Sequence, residues 1–335
     1  MRIIHVVCTD AFAGVERYVP GGAGARARRG HTVVVVGGDR VAMTGALGPP
    51  PTGVAGGDAP GPGALHWRPG SGMARAARSL VRLGTGSWLR RPDVVHAHMT
   101  EAELVALVTR PVHGAPVVAT LHFAQPRGGE RRRAALYRHL GPRLHAQLAI
   151  SAHVAARSGE PAEVVLNGVP PPGAPLVDPA RRAPVVVMAQ RLEPEKDSAT
   201  GIAAWARSGL GERGWSLEVL GDGSRRRDLE ALAEELGVAG SVRFSGFVPD
   251  ARARIAEAAI VVATAPDEPF GLTVVEAMAA CTPVVAAAGG GHLETVGSVS
   301  SAWMFAPGDV DGAAELLRRA ADDPDARVDH GAALR

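Results

Sequence analysis

The chain has 335 residues, 46% of them apolar and 21% charged, which is enough material for two hydrophobic cores in a globular protein. Its 36 basic residues nearly balance 34 acidic ones for a net charge of +2, which removes the case for a nucleic-acid-binding surface. No apolar run approaches the roughly 18–20 residues of a membrane span. Ile3–Cys8 is too short a run for a signal peptide, and Cys8 and Cys281 read as reduced thiols, so a cytoplasmic protein is expected.

Ile3–Cys8 reads as a buried parallel strand, and the loop from Thr9 leads through Ala13-Gly14 into a helix. Pro20-Gly21-Gly22-Ala23-Gly24 falls inside that helix. One proline and three glycines there cost several kcal/mol of helix propensity, so a broken helix is expected. Thr32–Val36 is the second strand, and the Pro/Gly-rich residues 45–63 predict a mobile surface loop. A strand over 94–98 ends in His96 and His98, which alternation puts on one side. The pair has no Asp, Glu or Cys at ligand spacing apart from Glu101 and Glu103, so no metal site is assigned. Val117–Phe123 is the next strand and carries His122 near its end.

Arg127–His145 reads as a basic helical segment, with Arg127, Arg131, Arg132, Arg133, Arg138 and Arg143 opposite a stripe of Leu136, Leu140 and Leu144. The stripe is short and lacks bulky aromatics, which favours a solvated face over buried leucines and not peripheral membrane contact. Glu163–Val169 closes the first half, and Pro170–Pro175 is the clearest linker in the chain. The expected division is a first domain at 1–170, a linker at 170–175, a second domain at 176–321 and a tail at 322–335.

In the second half, a strand over 185–189 delivers Arg191 and Lys196 onto one loop, a fork and a point charge in the form of a diphosphate clamp. Ser216–Gly223 and Ser241–Val248 read as strands that end in turns, with a helix over Arg226–Leu236 between them. Ile260–Thr264 is an apolar strand, after which Pro266 and Pro269 keep the chain extended as far as Gly271. A helical pattern of good helix formers begins at Leu272. Strand, glycine turn and helix start aim free N–H groups and a helix dipole at one point, which suits a phosphate. Glu268 and Glu276 frame that point. Carboxylates repel a phosphate, so the role open to them is accepting hydrogen bonds from hydroxyls such as those of sugars.

Glu268 to Glu276, extended by Pro283-Val284-Val285-Ala286 and Gly289-Gly290-Gly291, resembles the E-x7-E region of retaining GT-B glycosyltransferases of family 4, also called group 1. The resemblance implies an α/β fold of GT-B type, with two Rossmann-like doubly wound domains facing across a cleft. It implies a retaining, metal-independent transfer of a sugar from a nucleotide-diphosphate sugar to a hydroxyl-bearing small molecule or glycan. A UDP- or GDP-sugar would be the co-substrate, with no other cofactor. It further implies catalytic roles for His122, Arg191, Lys196 and Glu268. Glu268 would contact hydroxyls of the donor sugar and Glu276 the ribose, with Phe270 beside them. The turn Gly271, Leu272 and Thr273 would hold the diphosphate, Phe247 and Val248 the base, and Gly14 would lie near the phosphates. His96 and His98 fall on the acceptor side.

The chain departs from the family pattern at three places. The glycine before Gly14 is replaced by Ala13, and Gln190 and Asp197 replace both glycines of the G-R-L-x-x-x-K-G motif. Little chain remains after Asp309–Ala321 for the helix that in many members crosses back onto the first domain. An epimerase of the same architecture and a non-catalytic nucleotide-sugar-binding protein are the alternatives. A dinucleotide oxidoreductase is disfavoured because Gly221-Asp222-Gly223 lacks the third glycine of G-x-G-x-x-G.

Overall fold

A computed structural model describes residues 1–9, 14–39, 43, 65–68, 70, 72–85, 91–125, 137–171, 177–178, 181–248 and 250–335. The expected loop at 45–63 lies outside the described residues, as do residues 127–136 of the basic segment. The chain forms two compact units, Met1–Asn167 and Gly168–Arg335.

The first unit carries the parallel strands β1 (Arg2–Val7), β2 (Thr32–Val36), β3 (Leu65–Arg68), β4 (Val94–His98), β5 (Val117–Leu121), β6 (Ala146–Ala149) and β7 (Glu163–Val164). Their order across the sheet is β3-β2-β1-β4-β5-β6-β7. Helices α1 (Gly14–Arg28), α2 (Met73–Thr85), α3 (Thr100–His113) and α4 (Ala152–Ser158) accompany them. Valine-rich strands suit a sheet covered on both faces, and Val33, Val34, Val35 and Val36 of β2 are all fully buried.

The second unit repeats this logic with β8 (Ala183–Ala189), β9 (Ser216–Leu220), β10 (Val242–Gly246), β11 (Ala258–Ala263), β12 (Val284–Ala287) and β13 (Met304–Phe305). The order is β10-β9-β8-β11-β12-β13. Its helices are α5 (Ser198–Ser208), α6 (Arg226–Glu235), α7 (Ala251–Glu257), α8 (Leu272–Ala279), α9 (Val296–Val299), α10 (Val310–Asp322) and α11 (Pro324–Ala333). Two cores flank this sheet, one around Trp205, Ile202 and Leu217 and the other around Ile255, Val261 and Val274.

In each unit the strand order reverses direction at one pair, β1/β4 in the first and β8/β11 in the second. Loops leaving the carboxyl ends of such a pair diverge and open a crevice, where ligands bind in open α/β sheets. Every candidate residue of the second unit on the Arg191–Lys196 loop and the Glu268–Thr273 turn follows β8 or β11.

One expectation is corrected. The first helix is not broken: α1 runs from Gly14 to Arg28 with Pro20 inside it. Val15, Val19, Ala23 and Ala27 form a buried i, i+4 stripe against Val33 and Val35 of β2, and this tertiary burial outweighs weak local propensity. In the described end of the basic segment Tyr137 is helical, and Gly141–Arg143 form a 3₁₀ turn before β6. Gly141 and Pro142 favour that turn, while Leu140 is buried as expected. Residues 324–333, read as part of a tail, form α11, with Leu334 and His330 buried in the second unit. Among the described residues, no helix is long and apolar enough to cross a membrane.

Candidate functional site

The second unit's site begins at the end of β8. Gln190 stands where the family pattern has glycine, and its amide nitrogen Nε2 donates to Lys196 O at 3.0 Å, Ser198 Oγ at 2.8 Å and Thr264 Oγ1 at 2.9 Å. Thr264 Oγ1, at the end of β11, also donates to Lys196 O at 2.8 Å. One side chain therefore pins the Lys196 loop across the β8/β11 pair. The second departure, Asp197, adopts the left-handed region at φ 47°, which Asp tolerates better than most residues. Its Oδ2 accepts from Thr200 Oγ1 at 2.7 Å, so the loop is held in the shape a glycine would allow.

Held in this way, Lys196 Nζ meets Glu268 Oε2 at 2.6 Å, joining two candidates 72 residues apart. Both side chains are largely buried, 15% and 16% exposed, so the pair is shielded from solvent and removal of either partner strands a charge. Glu268 precedes the turn that ends at Gly271, whose φ is 93°. A Cβ at Gly271 would also meet the His292 ring at 3.1 Å, so both backbone and packing call for glycine. Behind the turn, Gly291 N donates to Glu268 O at 2.6 Å, and a Cβ on Gly291 would fall 2.5 Å from Phe270 Cα. The triple glycine is thus the close backing of the Glu268–Gly271 loop.

α8 starts at this point with Gly271 as N-cap, no side-chain cap and no acidic residue in its first turn. Thr273 spends its hydroxyl on Ala189 O at 2.9 Å, which fixes α8 against the end of β8. The first amides of α8 therefore lack a side-chain cap, the condition that suits a helix start to an anion. His292 is fully buried under the turn, and its Nδ1 donates to Ala287 O at 3.1 Å. Burial pushes its pKa down, against smaller opposing influences of Glu268 and of that carbonyl, and with a minor push in the same direction from Lys196. His292 was not foreseen from the sequence.

Arg191 lies on the surface, 51% exposed, with Nη2 on Glu195 Oε1 at 2.6 Å. Phe247 is exposed and Val248 packs partly into the core at the end of β10. Glu276 is half-buried on the second turn of α8, and Phe270 is buried.

The first unit gathers its histidines at its own reversal pair. The register sets His5 opposite His96 and Val7 opposite His98. His96 and His98 share a face as alternation demanded, their ring centroids 4.4 Å apart. His5 Nδ1 lies 2.9 Å from His98 Nε2, and His98 Nδ1 lies 3.0 Å from His122 Nε2. His96 Nε2 lies 2.7 Å from Thr120 Oγ1. All four rings are buried, and burial depresses each pKa, that of His96 to about 4 and of His122 to about 3. Ring nitrogens of His5, His96 and His98 lie within 4.8 Å of one another, a set of imidazole ligand atoms without a carboxylate. His5 was missed from sequence; a lone polar residue inside an apolar strand was the available signal. Gly14 is the first residue of α1, and residues 10–13 of its loop lie outside the described residues.

Residues 12–171 match the family model "Glycosyltransferase Family 4" and residues 178–335 the model "Glycosyl transferases group 1". Glycogen synthase of Mycobacterium tuberculosis is 31% identical over 281 residues, which is 76% of this chain and 66% of that protein. The 2-deoxystreptamine glucosyltransferase of Streptomyces kanamyceticus is 35% identical over 148 residues, 44% of this chain and 38% of that one. Among solved structures, Anabaena HepE in complex with UDP and glucose superposes with a TM-score of 0.78 at 18% identity, over 100% of this chain and 93% of that one. The fold is therefore that of the GT-B glycosyltransferases, built from two Rossmann-like domains. The chain belongs to the group 1, family 4 glycosyltransferases. The alignments span 38% and 66% of the lengths of these two curated relatives.

Proposed function

We propose that the protein is a retaining, metal-independent glycosyltransferase that moves a sugar from a nucleotide-diphosphate sugar to a hydroxyl of a small molecule or glycan. The observation that carries this reading is the Lys196–Glu268 pair, buried beside the uncapped start of α8 at the β8/β11 reversal. Lys196 and the α8 amides supply positive charge for the two phosphates, which is the stabilisation a departing diphosphate needs as its charge grows. Glu268, one hydrogen bond from Lys196, then accepts from a donor-sugar hydroxyl. Glu276, further along α8, is assigned to the ribose. Phe247 and Val248 are assigned to the base. Arg191 would leave Glu195 to join the phosphates. In this reading the acceptor hydroxyl attacks the face that the diphosphate leaves and hands its proton to a phosphate oxygen. UDP is the first nucleotide to try, because the Anabaena HepE structures hold UDP and UDP-glucose.

The test is transfer itself. Wild-type protein is incubated with UDP- and GDP-hexoses and a panel of hydroxyl acceptors, without added metal and with a chelator, and the product's anomeric configuration is read by NMR. Product of the donor's own anomeric configuration supports the reading. Product without acceptor, in the form of an epimerised donor, supports the epimerase, and an inverted glycoside refutes the retaining mechanism.

A further inference from the structure

We infer that His5, His98 and His122 form one hydrogen-bonded imidazole chain whose three tautomers move together, so that His5 and His98 are positioning residues that set whether the outward nitrogen of His122 donates or accepts. The catalytic role that the family resemblance implies for His122 rests on the proposed function; the coupling of the tautomers does not.

The geometry leaves little choice. The links are His5 Nδ1 to His98 Nε2 at 2.9 Å and His98 Nδ1 to His122 Nε2 at 3.0 Å. The three rings are 1%, 0% and 6% exposed. Burial pushes all three pKa values down, so each ring is neutral at pH 7 and carries one N–H. Each link then needs one donor and one acceptor. His98 spends both nitrogens, so a proton on its Nδ1 obliges His5 to carry one on Nδ1, and His122 must then hold its own on Nδ1. A proton on His98 Nε2 obliges the reverse at both neighbours. Only the two uniform arrangements keep both hydrogen bonds, and a mixed one breaks a buried link and leaves its polar atoms unsatisfied.

The far end of the chain is sealed. His5 Nε2 is buried without a hydrogen-bond partner among the described residues, so no described group there absorbs or supplies a proton. At the other end, His122 Nδ1 has no partner among the described residues, and that nitrogen remains for a ligand. The groups around the chain are few: Arg26 lies close enough to depress His5, His96 and His98, His96 is tied to Thr120, and the Tyr18 ring stands 5.9 Å from that of His122. The Arg26 charge opposes a further cation, whether a proton or a metal ion, and no carboxylate among the described residues joins the ring cluster, so the electrostatics favour neutral hydrogen-bonded rings over a metal cage.

The experiment is ¹⁵N-histidine NMR on the intact protein at pH 7.5, with two-bond ¹H–¹⁵N correlations to identify each ring's tautomer. Three like tautomers for His5, His98 and His122 are expected, of either kind. His98→Phe cuts the chain, and the His122 signal should then become a mixture of both tautomers while the dispersion of other residues stays native. Should that variant not fold, His5→Phe at the sealed end serves, with the same shift toward a mixture expected at His122. In the kinetic arm, either variant should raise the donor KM at least fivefold while the affinity for bare nucleotide stays within twofold. Differing tautomers in the wild type, a cationic ring, or uptake of one equivalent of Zn²⁺ that abolishes the inter-ring hydrogen bonds would each overturn the inference. An NMR result as expected in a protein that transfers no sugar would refute the proposed function and leave the coupled chain standing.

Discussion

Glu268→Gln separates sugar recognition from nucleotide binding, because the carboxylate sits 2.6 Å from the lysine assigned to the diphosphate. In the wild type, Glu268 offsets the Lys196 charge that a phosphate would use. A phosphate oxygen bonded to the far side of Nζ would lie about 5 Å from the carboxylate. Two unit charges at that distance repel by about 3 kcal/mol at an effective dielectric constant near 20. Reorientation of Lys196 and solvent reduce this, and a residue of about 1 kcal/mol is a factor of roughly five in affinity. The amide keeps the shape of the carboxylate and removes the charge. Calorimetry should therefore find UDP bound about three- to tenfold more tightly by Glu268→Gln than by wild type. Transfer should nevertheless fall by about 10² or more, since the amide no longer accepts as a carboxylate from the sugar hydroxyl. Weaker UDP binding in Glu268→Gln would refute the reasoning and move the carboxylate onto the nucleotide itself.

Four further outcomes follow from the same structure. Lys196→Met should destabilise the protein by about 3 kcal/mol by stranding a buried carboxylate, and Lys196→Met/Glu268→Leu should recover most of that loss; equal and additive losses in urea denaturation would mean the pair is not coupled. Pro20→Ala should stabilise the protein by about 1–2 kcal/mol, because the intact α1 then regains one backbone hydrogen bond; a lower Tm would show that the buried proline ring matters more. Asp197→Gly should be nearly neutral and Asp197→Ala clearly worse, by about 1 kcal/mol, since alanine loses both the tolerance of φ 47° and the Thr200 hydrogen bond. Finally, the buried imidazoles bind protons in the unfolded chain but not in the native one, so stability should be complete above about pH 6.5 and fall on acidification toward pH 4. Each such ring can contribute a slope of up to about 1.4 kcal/mol per pH unit in that window, and a urea midpoint unchanged from pH 7.5 to 5 would contradict it.

The parallel sheets and their two-unit division were legible because valine-rich strands separated by glycine turns and helical patterns admit few other arrangements. The turn at Gly271 and the helix start at Leu272 were legible for the same local reason: proline, glycine and helix formers act on the backbone where they stand. Pairings across the sheet were not. Nothing in the sequence places His5 opposite His96, or Lys196 on Glu268, because register and loop approach are tertiary outcomes. Gln190 and Asp197 looked like losses relative to a glycine pattern. The hydrogen bonds from Gln190 to three acceptors and the Asp197–Thr200 contact turn both into supports of the Lys196 loop. The helix α1 was misread because propensity is local and weak, whereas the stripe from Val15 to Ala27 is buried as a whole.

The central claim is that the second unit binds the nucleotide diphosphate at Lys196 and the start of α8. Thermal unfolding of the wild type and of Lys196→Ala, titrated with UDP, GDP and ADP, tests it directly, since a ligand that binds only the folded state stabilises it by mass action. At least one nucleotide should raise the wild-type Tm in proportion to the logarithm of its concentration, and Lys196→Ala should lose most of that rise. No response to any of the three nucleotides, or an undiminished response in Lys196→Ala, would contradict it.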